Sequence, residues 1–384
     1  MSATIQMPRI MKIGGGAITH LPDVLVELGL HRPLIVTDEF MTSQGYAARL
    51  TDLLSELDID FEVFSDCVPD PTTDSVAAAL TTLKQFDADC LVALGGGSSI
   101  DTAKAASVLA VNPGKMRDYK APNNIVNGLP VIAIPTTAGT GSEATSVAVI
   151  TDTETQEKMM CKGLGLLPVA ALVDFELTMT MPYRLTADTG IDSLCHALEA
   201  YVSRRANRFT DAIALAAMET IYKTLPTACG QPDNSEAREA MMLAATQGGI
   251  AFSNASVTLI HGMSRPIGAH FHVPHGLSNA MLLPEVTAFS VQDAKGRYAQ
   301  CCRAMGITDS GDDQYAVDAL VEALHKLNSD LSVPSPKLYG IDEKQWFGNI
   351  TLMAKQAIES GSPANNPRIP SEEDIVELYH RVWQ

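Results

Sequence analysis

Four of the nine histidines fall in one stretch, HGMSRPIGAHFHVPH, as His261, His270, His272 and His275. Upstream, TADTGIDSLCHALEAYV carries Asp192 and His196, spaced i,i+4 in a run patterned as a helix. Residues at that spacing leave one helical face. Ile191, Leu194, Leu198 and Val202 form an apolar stripe beside it. One carboxylate and up to three of the imidazoles can therefore converge on a divalent metal such as Fe(II) or Zn(II), ions that accept both donor types. Cys195 lies between the pair, but a helical neighbour points about 100° away, and it reads as core filler.

The elements that would position this chemistry divide at Pro182. Up to there, short apolar runs alternate with helical ones. Strand candidates are 33–37 (PLIVT), 61–65, 90–94 (CLVAL), 131–134, 147–151 and 171–174, and helical runs cover 19–28, 43–57, 73–86 and 99–110. Such alternation predicts an α/β domain with a parallel sheet, whose ligands belong at the carboxyl ends of the strands. Everything later reads as helix: 185–204, 207–225, 234–251, 256–264, 276–286, 312–329, 342–359 and 371–382, the last opened by a capping box of Ser371 and Asp374. The expected domains are thus 1–182, α/β, and 183–384, all-helical and carrying the metal candidates.

Three features sit at the strand ends. In GGGSSID, Gly95, Gly96, Gly97 and Ser98 run directly into a helix. Glycines let backbone approach a pyrophosphate, and a helix start offers unpaired N–H groups. PTTAGTGSE brings the hydroxyls of Thr136, Thr137 and Thr140, donors for phosphate or for a nicotinamide amide. Asp38 closes PLIVT, where a carboxylate can accept from both ribose hydroxyls and repel a 2′-phosphate, favouring NAD over NADP. The ordinary GxGxxG fingerprint is absent. Gly14, Gly15 and Gly16 read as a turn, because no strong strand precedes them.

Composition narrows the rest. With 384 residues, 46% hydrophobic and 19% charged, the chain suits two globular domains. A formal charge of −18 argues against nucleic-acid and anionic-membrane partners. The seven cysteines are scattered with no CxxC, so neither a disulfide framework nor a zinc knuckle is indicated. The first residues lack an apolar targeting segment, and no apolar run is long enough to span a membrane. The expected location is the cytoplasm.

Taken together and in order, GGGSSID, PTTAGTGSE, DTGIDSLCHALEAYVS, GIAFSNA, HGM and PHG resemble the iron-containing (group III) alcohol dehydrogenases over nearly the whole chain, through NNPRIPSEEDI. The resemblance implies an N-terminal dinucleotide-binding domain, a helical C-terminal domain and an active site in a cleft between them. It implies Asp192, His196, His261 and His275 as metal ligands, usually for Fe(II). It places Asp38, Gly96, Gly97, Ser98, Asp101, Thr136, Thr137, Thr140, Thr145 and Lys158 at cofactor-contacting positions and Phe252 in the substrate pocket. Two departures stand out. A histidine credited with proton relay is replaced by Arg265, leaving His270 or His272 as spare imidazoles to serve any proton transfer, and small glycines before HGM are replaced by Ser256 and Thr258. Arg265 suits a carboxylate, sulfonate or phosphonate on the substrate. It also suits an acid of the protein or the cofactor pyrophosphate.

The expected activity is an NAD- and metal-dependent alcohol dehydrogenase or aldehyde reductase acting on a small molecule, one with an acidic group where Arg265 binds it. An NAD- and metal-dependent cyclising lyase resembling dehydroquinate synthase is the alternative, but it needs a cluster of basic residues. A metal-binding protein without turnover would have no use for the phosphate loops. A homo-oligomer, and first a dimer, is the expected assembly.

Overall fold

The computed structural model describes residues 2–155 and 157–384. They form two compact units, Thr4–Thr180 and Met181–Gln384, the second including residues 2 and 3.

In the first unit, β1 (Ile10–Ile13), β2 (Pro33–Val36), β3 (Glu62–Phe64), β4 (Cys90–Gly95), β5 (Val131–Pro135) and β8 (Ala170–Val173) make one sheet, ordered β1-β8-β5-β4-β2-β3. Every pairing is parallel. A parallel sheet is covered on both faces, and here two apolar clusters alternate along each strand. Leu34, Val36, Leu91 and Ala93 face one cluster, and Ile35, Val92 and Leu94 the other. Helices α1 (Leu21–Leu28), α2 (Glu39–Ser43), α3 (Tyr46–Ser55), α4 (Thr73–Phe86) and α5 (Gly97–Val111) complete these layers. A separate antiparallel ribbon, β6 (Val147–Thr151) with β7 (Lys158–Lys162), packs on α5. Strand order reverses between β2 and β4, the kind of switch point at which α/β sheets take ligands.

Strands β1 and β7 escaped the sequence reading. Strand β1 is a half-exposed edge with a lysine in it, and β7 (KMMCK) buries only Met159 and Cys161. A strand therefore does precede the glycines at 14–16, contrary to expectation. They still form a turn, with Gly14 and Gly16 at positive φ before a short 3₁₀ segment.

The second unit is helical throughout: α6 (Tyr183–Val202), α7 (Arg208–Gly230), α8 (Ser235–Asn254), α9 (Leu259–Phe271), α10 (His275–Ser290), α11 (Lys295–Ala304), α12 (Asp313–Asp330), α13 (Pro336–Tyr339), α14 (Glu343–Glu359) and α15 (Glu372–Val382). Helix α6 is its axis. Every residue from Gly190 to Val202 is buried, because α7, α8 and α10 all pack against it. Helix α9 continues past the expected stop at 264, with Pro266 inside it. Burial of the surrounding residues outweighs the single lost hydrogen bond. The capping box opens α15 as expected, Ser371 Oγ accepting from Asp374 N at 3.1 Å.

Candidate metal centre and phosphate loops

Helices α6, α9 and α10 bring four side chains to one point. Asp192 and His196 sit a turn apart on α6, His261 is the third residue of α9, and His275 is the first of α10. One ligand atom from each lies within 4.8 Å of all the others. Asp192 Oδ1 is 3.8 Å from His196 Nε2, 3.4 Å from His261 Nε2 and 3.8 Å from His275 Nε2. Three of the four are buried, and His275 leaves the cage open on its exposed side.

Electrostatics match a cation. Burial alone would raise the Asp192 carboxyl, but His196, His275 and His261 hold it well below the usual carboxylate range. Burial pushes His196 down to about 4, so at neutral pH its imidazole is neutral with a lone pair to offer. Its Nδ1 is buried with no hydrogen-bond partner. Against burial, the carboxylates of Glu199 and Asp192 raise His261 to about 9, which marks a position that favours positive charge.

Glu199 is the participant that sequence reasoning missed. It lies on α6 beyond His196, fully buried, with Oε2 2.6 Å from His261 Nδ1. Its Oε1 accepts from Thr258 Oγ1 at 2.8 Å and from Ile260 N at 2.6 Å, capping the start of α9. One carboxylate thus fixes the ring orientation of His261 and anchors its helix. The available signal was spacing, seven residues after Asp192 on the same face.

Phe252 stacks on His196, ring centroids 4.3 Å apart, which places it at the cage wall. Arg265 is half-buried one turn past His261, its Nη1 donating to Ser362 Oγ at 3.1 Å. The two spare imidazoles do not join the cage. His270 faces α14 with Nε2 2.8 Å from Gln356 Oε1, and nine residues of helix turn it about 180° from His261. His272 is exposed and ends α9 in a left-handed conformation. Neither fits the proton-transfer role expected of it. Ser256 lies beside Asn365, whose Nδ2 donates to its hydroxyl at 2.9 Å, while the Thr258 hydroxyl is taken by Glu199.

In the α/β unit the strand ends meet as a cradle. Helix α5 starts at Gly97 with no side chain capping it. A Cβ at Gly95 would lie 2.5 Å from Ser99 Oγ, and one at Gly97 2.9 Å from the Thr140 methyl. Only glycine fits there, and the two loops pack closely for that reason. Thr136 N donates to Gly95 O at 3.1 Å, and the buried Thr137 Oγ1 has no partner. Asp38 caps α2 with Oδ1, accepting from Met41 N at 2.9 Å, while Oδ2 faces Ser99 Oγ at 3.5 Å. Asp101 and Thr145 are engaged within the protein. Asp101 accepts from Ser142 Oγ at 2.7 Å and Val149 N at 2.8 Å. Lys104, fully buried, donates to Ser142 Oγ, Thr145 O, Thr145 Oγ1 and Val147 O at 2.8–3.2 Å. Burial lowers its pKa to about 8, against the pull of Asp101 and Glu143. Lys158, at the ribbon, pairs with Asp70 at 3.0 Å.

Residues 8–175 match the family described as iron-containing alcohol dehydrogenase, and residues 186–383 its C-terminal domain. The chain belongs to the iron-containing alcohol dehydrogenase family. It is 37% identical to the NAD-dependent methanol dehydrogenase of Bacillus methanolicus, covering 97% of each chain. A 1,3-propanediol oxidoreductase superposes with a TM-score of 0.95 at 30% identity, all of both chains being covered. The sulfoacetaldehyde reductase of Bifidobacterium kashiwanohense, in complex with NAD+, gives 0.90 at 30% identity, covering 100% of this chain and 99% of that one. The protein is thus an oxidoreductase of the alcohol dehydrogenase class, with the α/β and helical halves its family shares.

The residues present fit what the family name implies. One hard carboxylate oxygen and three imidazole nitrogens are a suitable set for divalent iron. The uncapped start of α5, the glycine cradle and the unpartnered Thr137 hydroxyl suit a pyrophosphate.

Proposed function

We propose that this iron-containing alcohol dehydrogenase interconverts a small aldehyde and its alcohol using NAD(H), and that the preferred substrate carries an acidic group. The observation that carries the reading is the convergence of Asp192, His196, His261 and His275. These four would hold Fe(II), with Zn(II) the other ion their donors accept. The ion supplies Lewis acidity toward the substrate oxygen, and the nicotinamide gives or takes the hydride. The chain's own residues do the rest. Glu199 holds the His261 ring in register, Phe252 walls the cage beside His196, and the start of α5 with Thr137 binds the cofactor phosphates. Asp38 Oδ2 selects NAD by repelling a 2′-phosphate.

Arg265 supplies the finer part. A guanidinium does not shuttle protons near neutrality, but it binds planar or tetrahedral anions through paired N–H groups. It is half-buried one turn from a ligand, which supports a role in reading an acid a few bonds from the carbonyl. That a relative is a sulfoacetaldehyde reductase supports an anionic substrate. A cyclising lyase is not favoured, because the family and the relatives above are dehydrogenases and reductases. No described helix is long and apolar enough to cross a membrane, and all seven cysteines are free and buried, which supports a reducing cytoplasm. A homodimer is the proposed assembly, which light scattering would test.

The deciding assay follows NADH consumption by Fe(II)-loaded protein with neutral and acidic aldehydes of matched length. The reading requires turnover that depends on the ion, favours NADH over NADPH, and is higher for the acidic partner. In Arg265→His, kcat/KM should fall selectively for the acidic substrate, by about 2 kcal/mol. Equal losses on both substrates would remove the substrate role of Arg265.

A further inference from the structure

We infer that Asn279 is a fifth member of the cage, a positioning residue that holds the ligands ready for the ion. The inference rests on reading the cage as a divalent-cation site. Asn279 lies on α10 one turn past His275 and is fully buried. Its Nδ2 is 2.6 Å from Asp192 Oδ1, 3.2 Å from His261 Nε2 and 3.3 Å from His275 Nε2. One amide nitrogen therefore touches three of the four ligands, contributed by three different helices.

Gly276 makes this approach possible. A Cβ there would lie 2.5 Å from Asp188 O and 3.4 Å from the Asp192 Cβ, so α10 can sit this close to α6 only without a side chain. The far end of the amide gains nothing from its position, since Oδ1 is buried with no hydrogen-bond partner. What keeps the side chain there is the donor end.

The acceptors differ in capacity. A carboxylate oxygen has two lone pairs, while a neutral imidazole has one unprotonated nitrogen with a single lone pair. Nδ1 of His261 is directed at Glu199 and its Nε2 at Asp192 Oδ1, 3.4 Å away, so the carboxylate oxygen is the acceptor that Nδ2 approaches most closely. Asp192 Oδ1 can keep its bond to Nδ2 while also facing a cation. Each imidazole nitrogen has at most one lone pair, which it must turn to the ion. Asn279 thus does two things. It holds Asp192 Oδ1 beside the His261 and His275 rings in the metal-free protein, and it fixes which oxygen Asp192 presents when the ion is bound.

The test uses metal-free wild type, Asn279→Ala and Asn279→Asp, titrated with Co(II) against a competing chelator and followed by Co(II) absorption and thermal unfolding. For Asn279→Ala the expected result is Co(II) binding weakened at least about tenfold, an altered Co(II) absorption band and a lower metal-free Tm. Asn279→Asp places a second carboxylate against Asp192. Its metal-free Tm should fall further, and Co(II) should raise it by more than it raises wild type. A wild-type Kd and absorption band in Asn279→Ala would overturn the proposal. If that variant does not fold, the near-isosteric Asn279→Asp decides, and an ion-induced rise no larger than that of wild type overturns it. Failure of wild type to bind Co(II) would instead remove the metal-site reading itself.

Discussion

In the α/β unit a buried cation beneath the phosphate loops, Lys104, faces the buried Asp101 at 3.9 Å, and its ammonium holds the 142–147 segment onto α5 through four oxygen contacts. At the cage of the helical unit, the buried carboxylates Asp192 and Glu199 are faced by imidazoles whose protonation the surroundings set. The first region carries its counter-charge in the chain. The second gathers one carboxylate and three imidazoles at a point suited to a divalent ion. Folding alone should therefore order the phosphate loops, whereas the ligand cage gains its last increment of order on loading.

The sharpest way to break this contrast is to remove a ligand. His261→Ala or His275→Ala should lose bound metal and essentially all activity while circular dichroism and NADH binding persist. Full metal stoichiometry in both purified variants would refute the cage. Next in size is Lys104→Met, which leaves Asp101 without its buried counter-charge and should cost about 3 kcal/mol of stability. NADH affinity should fall with it, at unchanged metal content. Because burial lowers the folded pKa of Lys104 to about 8, below the ordinary 10.5, the unfolded chain holds the proton across that window. The stability of wild type relative to Lys104→Met should then be level below pH 8 and rise toward pH 10.5 in denaturant titrations.

Glu199→Gln keeps the size of the side chain but removes its charge, and should weaken metal binding about 10- to 100-fold while leaving NADH affinity alone. A chelator competition measures it, and an unchanged Kd would show that His261 needs no carboxylate behind it. The smallest effect is expected at Asp38. Asp38→Gly should raise kcat/KM with NADPH relative to NADH about tenfold, with no change in metal content. A wild type indifferent to the 2′-phosphate would show that Asp38 serves only as the α2 cap.

Much of this was legible in the residues, and the gaps have identifiable causes. Asp192 and His196 announce themselves because i,i+4 spacing survives in any helix. Choosing among the later histidines needs the path of the chain. The helix expected over 256–264 stops short, whereas α9 runs on through Pro266 to Phe271, turning His270 away and setting His275 at the start of the next helix. Glu199 and Lys104 look like solvated surface charges in their own helices. Their burial depends on segments 59 and 38 residues distant in sequence, Thr258 and Ser142, which local periodicity does not encode. Strands β4 and β5 were plain, being apolar throughout. Strands β1 and β7 were not, since a sheet edge and a two-stranded ribbon need only half an apolar pattern.

Gly276 also acts as a gauge. Any side chain there would have to retreat from the Asp188 carbonyl, 2.5 Å away, by roughly the ångström that separates overlap from ordinary contact. A missing methyl group, on a residue that offers an ion no donor atom, therefore sets how closely α10 can bring His275 Nε2 to Asp192 Oδ1, 3.8 Å, and so the calibre of the cage.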